Sequence, residues 1–554
     1  MEATVKTGEF KVRRLVVSEH GFNYATYGGD YVLPPNTLIG NTGIGTLAIS
    51  GGGSVSDTSG VIASQTGSNG SVTVDGAGSS WSNSNYLLVG YGGTGSLDIS
   101  NGGKVFLGAG GLGASIGTLS GGNGTVTVTG SGSNWTNLSG LNVGGNGLTG
   151  STVSDSGSGS LIISNGGSVS SSLGTNVGLN TGSQGTVIVD GAGSNWTVST
   201  SINVGYSGTG SLSISNGGTV SDKRGFIGLM AGGSGMVTVD GAGSSWNNSV
   251  AVQVGQTSAG SLGISNGGTF TVSGGAGTVS LGTSSGALGT LNIGGAATGP
   301  AIAGGILNAA TVTTGLGTGT VQFNTTSSSS NPYYLTKNGI LTGGAITITG
   351  STQLINTAGF NVLTGANSYT GATTINGGTL DIAGGASLSG SAITVNNQGT
   401  LAGTGTVTGN ITNKGNIILG NSSTTPGTLW EIGSFDQAFN GFLDEGINSA
   451  TNGILNVNGD ISLDGLVNIS LLDGFLPAND QIFTLIEYTG GLTGTLQVNP
   501  LYAADWTVLY APNMVELEYT NQASSTVPDG GTTAAMVGTA LVGLAALRRK
   551  LRRA

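Results

Sequence analysis

VTVDGAGSSW stands at Val72–Trp81 and recurs letter for letter at Val237–Trp246, with VTVTGSGSNW at Val126–Trp135 and VIVDGAGSNW at Val187–Trp196 between them. A second phrase accompanies it: GSLDISNGG at Gly95–Gly103, GSLIISNGG at Gly159–Gly167, GSLSISNGG at Gly210–Gly218 and GSLGISNGG at Gly260–Gly268, with a partial copy, GTLAISGGG, at Gly45–Gly53. A third element, LLVGYGGTG (Leu87–Gly95) or INVGYSGTG (Ile202–Gly210), joins the two. The four tryptophans are spaced 54, 61 and 50 residues apart, and an insertion near LTGSTVSDSGSG (Leu148–Gly159) accounts for the longest gap. The repeating unit is therefore about 50 residues.

Inside a unit the apolar residues alternate, as in Leu212/Ile214 and Val237/Val239. That is the period of a half-buried strand. Asn-Gly-Gly or Asp-Gly closes each run and supplies cheap positive-φ turn positions. Roughly six short strands per unit and almost no helical periodicity follow. Strands this short gain stability only by stacking equivalent strands from successive coils. The expected fold is all-β: a right-handed parallel β-helix, two or three coils per unit.

Composition agrees. The 554 residues include 110 glycines and no cysteine, and only 7% are charged, against about 25% in a typical domain. The single histidine, His20, leaves almost nothing for a histidine metal site or a Ser-His-Asp triad, and no pattern calls for a cofactor. Residues 15–547 hold five cations against 23 acids. Such a surface repels nucleic acid, which is bound by clustered Lys and Arg.

Glycoside hydrolysis uses a pair of carboxylates. After Asp240 the next acid is Asp381, so no pair comes from that stretch. Asp75, Asp190 and Asp240 share one position in the repeat, with Thr129 in the second copy. A turn-forming role is expected for them. Glu431, Asp436, Asp444 and Glu445 form the densest acidic patch near aromatics and read as a solvated face. A polysaccharide-acting lyase or hydrolase stands as the alternative to a non-enzymatic scaffold.

Trp81, Trp135, Trp196 and Trp246 carry two readings. On one exposed face they make an aromatic row for glycan stacking. As packed corners they anchor the coils, each N–H bonded to a neighbouring carbonyl. Packing is favoured because each indole follows the same small-residue turn in the same register.

The chain ends on a different pattern. STVPDGG is followed by an apolar run, Thr532–Leu547, and then by Arg548, Arg549, Lys550, Arg552 and Arg553. Sixteen residues make about 24 Å of helix, a little short of the ~20 residues that usually span a bilayer. Flanking arginines help by snorkelling and favour the cytoplasmic side.

The VDGAGSxW and GSLxISNGG phrases resemble the repeats of autotransporter passengers and of bacterial proteins with C-terminal sorting signals. GANSYTGATTINGGTL (Gly365–Leu380) is similar to the autotransporter-associated β-strand repeat. The tail resembles a PEP-CTERM sorting domain of the VPDSG type, with Val527, Pro528, Asp529 and Gly530 in the motif. That resemblance implies recognition by an exosortase-type enzyme, transient anchoring in the inner membrane by the C-terminal helix, and removal of the tail at the cell surface. It also implies an association with exopolysaccharide and biofilm. Such proteins begin with a secretory signal, whose apolar core needs 7–15 residues. Here only Leu15–Val17 are available before Ser18 and Glu19, so either a misassigned start, the favoured reading, or a truncated chain is expected.

The expected organisation is an irregular segment at 1–38, a β-helix of 50-residue repeats at 39–298, and a β-helix with the autotransporter-associated repeat at 299–430. An acidic β capping module at 431–521 and the sorting signal with its transmembrane helix at 522–554 follow. The expected function is that of an exported surface or matrix solenoid, with an adhesive role in biofilm.

Overall fold

The computed structural model describes residues 23–27, 30–32, 36–147, 155–422, 425–431 and 433–520. Among them there are strands and two one-turn 3-10 segments, and no α-helix. The strands stack as parallel ladders into sheets of 27, 19 and 8 strands. The protein is a parallel β-solenoid.

Ile44–Ser50, Asn69–Asp75 and Thr94–Ser100 begin successive coils, so one coil takes 25 residues where nothing is inserted. The 50-residue unit is thus two coils. Its two phrases occupy the same place in alternate coils: Val72 pairs with Leu97 and Val74 with Ile99. Each coil has a seven-residue first strand, a tight turn, a second strand bearing either Trp or Val, a bend, and a third strand. The second position reads Val55, Trp81, Val105, Trp135, Val169, Trp196, Val220, Trp246, Phe270 along the stack.

Packing density explains the two-coil period. Coils with tryptophan carry Val/Val on the inward side of the first strand, as Val187 and Val189 do above Trp196. Coils with valine in the second strand carry Leu/Ile, as Leu212 and Ile214 do with Val220. A bulky indole is matched by small first-strand residues, and the reverse, so successive coils keep a similar cross-section. A close-packed interior tolerates little else. The pattern ends at Phe270, whose ring lies 5.2 Å from that of Trp246.

A change of module is expected at residue 431. The structure instead continues the parallel stack: Phe435–Gln437 pairs with Ile461–Leu463, and that strand with Leu492–Gly494. Antiparallel pairing of long strands begins only where Gln481–Tyr488 meets Met514–Tyr519, which also pairs with Trp506–Ala511. The acidic composition changed the outward side chains and left the coil architecture in place.

Candidate functional site

All four repeat tryptophans are 0% exposed. The exposed aromatic row is therefore corrected: each indole lies inside the solenoid, and no ring face is open to a sugar. The reason is local parity. Trp81 is in register with the inward residues Val55 and Val105, so the alternation that buries them buries it. Room for the ring comes from a glycine on the preceding coil. A Cβ at Gly60 would stand 2.6 Å from Cζ2 of Trp81, and one at Gly225 would stand 2.8 Å from Cζ2 of Trp246. The indole N–H groups differ from expectation too. That of Trp81 donates to the carboxylate Oδ2 of Asp57 at 3.2 Å, not to a carbonyl. Those of Trp135 and Trp196 meet no hydrogen-bond acceptor among the described residues, and that of Trp246 is directed at the carboxyl of Asp222.

Asp57 and Asp222 were not singled out from the sequence. Both are inward, 7% and 5% exposed, each on the strand preceding a tryptophan coil and in register with Asn83 and Asn248. Burial pushes the Asp57 carboxyl up to about 6, against hydrogen bonds from Thr37 and Trp81. Burial pushes Asp222 up to about 8, against the backbone N–H of Ile202, which donates to Oδ2 at 3.2 Å. The two strands are separated by six coil steps, about 29 Å at 4.8 Å per step. Glycosidase carboxylates work within about 5–9.5 Å of each other, so these two do not act as a pair.

The acidic patch does not converge either. Asp444 faces outward and accepts from Asn416 and Asn468 at 2.5 and 2.6 Å. Glu445, the next residue, points into the core, 1% exposed, and accepts from the backbone N–H of Gly453 at 2.7 Å. Burial holds its carboxyl well above the usual range. Asp436 is exposed on a separate strand. One expected solvated face is thus divided between surface and core.

The repeat aspartates have a role in addition to the turn-forming one expected. Their carboxylates bridge coils, beyond shaping their own turn. Oδ1 of Asp190 accepts from Ser215 Oγ at 2.6 Å and from Asn216 Nδ2 at 2.7 Å, one coil on. Asp75 does the same with Ser100 and Asn101, and Asp240 with Ser265 and Asn266. Thr129 replaces the carboxylate with its hydroxyl, accepting from Ser164 and Asn165. The asparagine donors all sit at positive φ, between 50° and 51°. The SNGG turn holds the amide toward the acceptor, and the two donors hold the Asp75 carboxyl below the usual range.

The sorting residues Val527, Pro528, Asp529 and Gly530, the apolar run Thr532–Leu547, the basic tail and the start of the chain lie outside the described residues. Among the described residues no helix is long and apolar enough to cross a membrane.

Comparison with known families adds what the geometry does not carry. A model described as the VPDSG-CTERM motif matches residues 526–551. A passenger-associated-transport-repeat model matches residues 362–382, within the strands Phe360–Leu363 through Thr373–Ile382. No curated protein matches the chain. The solenoid therefore joins autotransporter-like repeats to a PEP-CTERM type of sorting signal, a combination that points to an exported surface protein.

Proposed function

We propose that this protein is a non-enzymatic surface or extracellular-matrix solenoid with an adhesive role in biofilm, delivered by an exosortase-type enzyme that recognises Val527–Gly530. The observation that carries the reading is the match of residues 526–551 to a sorting motif behind a long stack of structural coils. The apolar run Thr532–Leu547 holds the precursor in the membrane, and Arg548–Arg553 keep its end on the cytoplasmic side. Exopolysaccharide is the partner that such a location offers.

Support for a scaffold also comes from the carboxylates. Buried Asp57 and Asp222 are about 29 Å apart along the axis, and the repeat aspartates are occupied in joining coils.

The test compares producing cells with and without the chain. Loss of surface attachment and of matrix polysaccharide, with the glycan length distribution unchanged, is the expected result. Shortening of the glycan by the purified protein, abolished by one Asp or Glu substitution, would establish an enzyme instead.

A further inference from the structure

The third strand of each coil turns one residue outward, and these residues stack in register: Leu38, Val61, Leu88, Ser115, Asn142, Asn176 and Asn203. From Ser115 to Asn203 the row is polar and self-bonded, and Phe226 follows in register. Asn176 donates to Asn142 and Asn203 to Asn176, both at 2.8 Å. Before Ser115 it is aliphatic.

Leu38, Val61 and Leu88 form the floor of a groove of about 330 Å³, walled by Tyr86 and Tyr91, with Ser64 and Asn146 at its edge. Tyr86 precedes Leu88 by two residues and so projects to the same side. Tyr91 stands at the next corner. Both tyrosines are half-buried, and neither phenol hydroxyl has a hydrogen-bond partner among the described residues. Among the described residues no Lys, Arg, Asp or Glu lines the groove, although the chain carries a net charge of −11.

We propose that this groove binds one neutral sugar unit of a polysaccharide chain. A pyranose presents a face of C–H groups and a rim of hydroxyls. The phenol rings and the aliphatic floor suit the face. The tyrosine hydroxyls and Ser64 suit the rim, since each can both donate and accept. The volume lies at the small end of ligand pockets, which run from about 300 Å³, enough for a single unit of a longer chain. An uncharged lining selects against uronic acids and sulfated sugars. The inference rests on the reading of the protein as a surface scaffold that meets exopolysaccharide, and it supplies the contact point which the buried tryptophans do not.

The repeat provides an internal control. Tyr206 occupies the same corner as Tyr91, in VGYSGTG against VGYGGTG. In its coil Asn203 replaces Leu88 and Ser201 replaces Tyr86, so the aromatic corner is present without the floor or the second wall.

The full chain is run through native gels containing hydroxyethylcellulose or dextran, both neutral, or alginate, which is anionic. Retardation by at least one neutral polymer is expected. Tyr86→Ala and Tyr91→Ala each raise the apparent Kd at least tenfold, and Tyr206→Ala leaves it unchanged. Leu88→Asn, the residue used by other coils, has the same effect as the tyrosine variants and guards against a folding defect in either. Circular dichroism of every variant matches the parent. Retardation that survives Tyr86→Ala and Tyr91→Ala, retardation by alginate alone, or none by either neutral polymer overturns the proposal. None of these results bears on export, which cell fractionation reads separately.

Discussion

The indole N–H of Trp81 donates to the carboxylate of Asp57 at 3.2 Å within a core that admits almost no solvent. Asp222 occupies the corresponding place before Trp246, with its carboxyl pushed up to about 8. A folded-state value above the unfolded one means that the folded chain holds the extra proton. The associated stability is fully present below pH about 4 and is lost as pH rises, through about 6 for Asp57 and about 8 for Asp222. Asp222→Asn removes the titration. Urea unfolding followed by tryptophan fluorescence should show this variant more stable than the parent at pH 9, by on the order of 6 kcal/mol. The difference should vanish near pH 4. A variant weaker than the parent at pH 9 would mean that the carboxylate is held as an ion by a favourable contact.

The matching of bulk between faces predicts a cost in both directions. Trp196→Ala empties the coil and should cost about 3–5 kcal/mol. Val187→Leu together with Val189→Ile installs the first-strand pair of the neighbouring coils beneath an indole. That pair should overpack the coil and cost about 1–3 kcal/mol, although the same residues are native at Leu212 and Ile214. Equal stability of the double variant and the parent, measured by the same unfolding, would remove the packing account of the two-coil period.

Gly225 tests the seat of the indole. Its φ does not lie in the left-handed region, so alanine there meets only a packing problem: Cζ2 and Cη2 of Trp246 at 2.8 and 2.9 Å, and Oδ1 of Asn248 at 2.8 Å. Gly225→Ala should destabilise by about 1–3 kcal/mol and shift the emission of a buried tryptophan. Gly→Ala at Gly232, where nothing lies closer than 3.8 Å, meets a backbone cost but no such contact, and its tryptophan spectrum should be that of the parent.

The bridge between the two phrases is measurable by a double-mutant cycle. Asp190→Ala removes the acceptor, and Asn216→Gly removes the amide while keeping a residue suited to φ of 51°. The two changes should couple by about 0.5–2 kcal/mol. Additive effects would show that the carboxylate serves only its own turn.

Much of this fold is readable from period and punctuation. Alternation in Val237/Val239, followed by Asp-Gly, is enough for a stacked strand and a tight turn. The equivalence of the two phrases is less accessible, because Asp190 and Ser215 share a position without sharing chemistry until the hydrogen bond between them is seen. Asp57 had a signal: it follows inward Val55 by two residues, and period two alone places it inside. The register shift just after it, between Asp57 and Ser59, hides that parity in a continuous reading. Glu445 had the same cue, standing two residues from inward Leu443 and Ile447, but the adjoining outward Asp444 makes the pair read as one acidic surface. The apparent boundary at residue 431 arose because outward side chains changed charge while inward residues such as Phe435 and Ile461 kept the coil. The tail lies beyond what geometry describes, and there the linear motif carries the reading by itself.

Delivery to the surface through the C-terminal motif is the central claim. The most direct measurement follows the full chain, and the same chain lacking residues 526–551, in cells that possess an exosortase-type enzyme. Fractions are taken from cytoplasm, membrane, surface and medium, and the C-terminus of the surface form is read by mass spectrometry. The account predicts that the full chain reaches the surface or medium without its basic tail, and that the deleted chain loses surface retention. Identical distribution of the two chains, or a surface form that still ends in Arg548–Arg553, would contradict it.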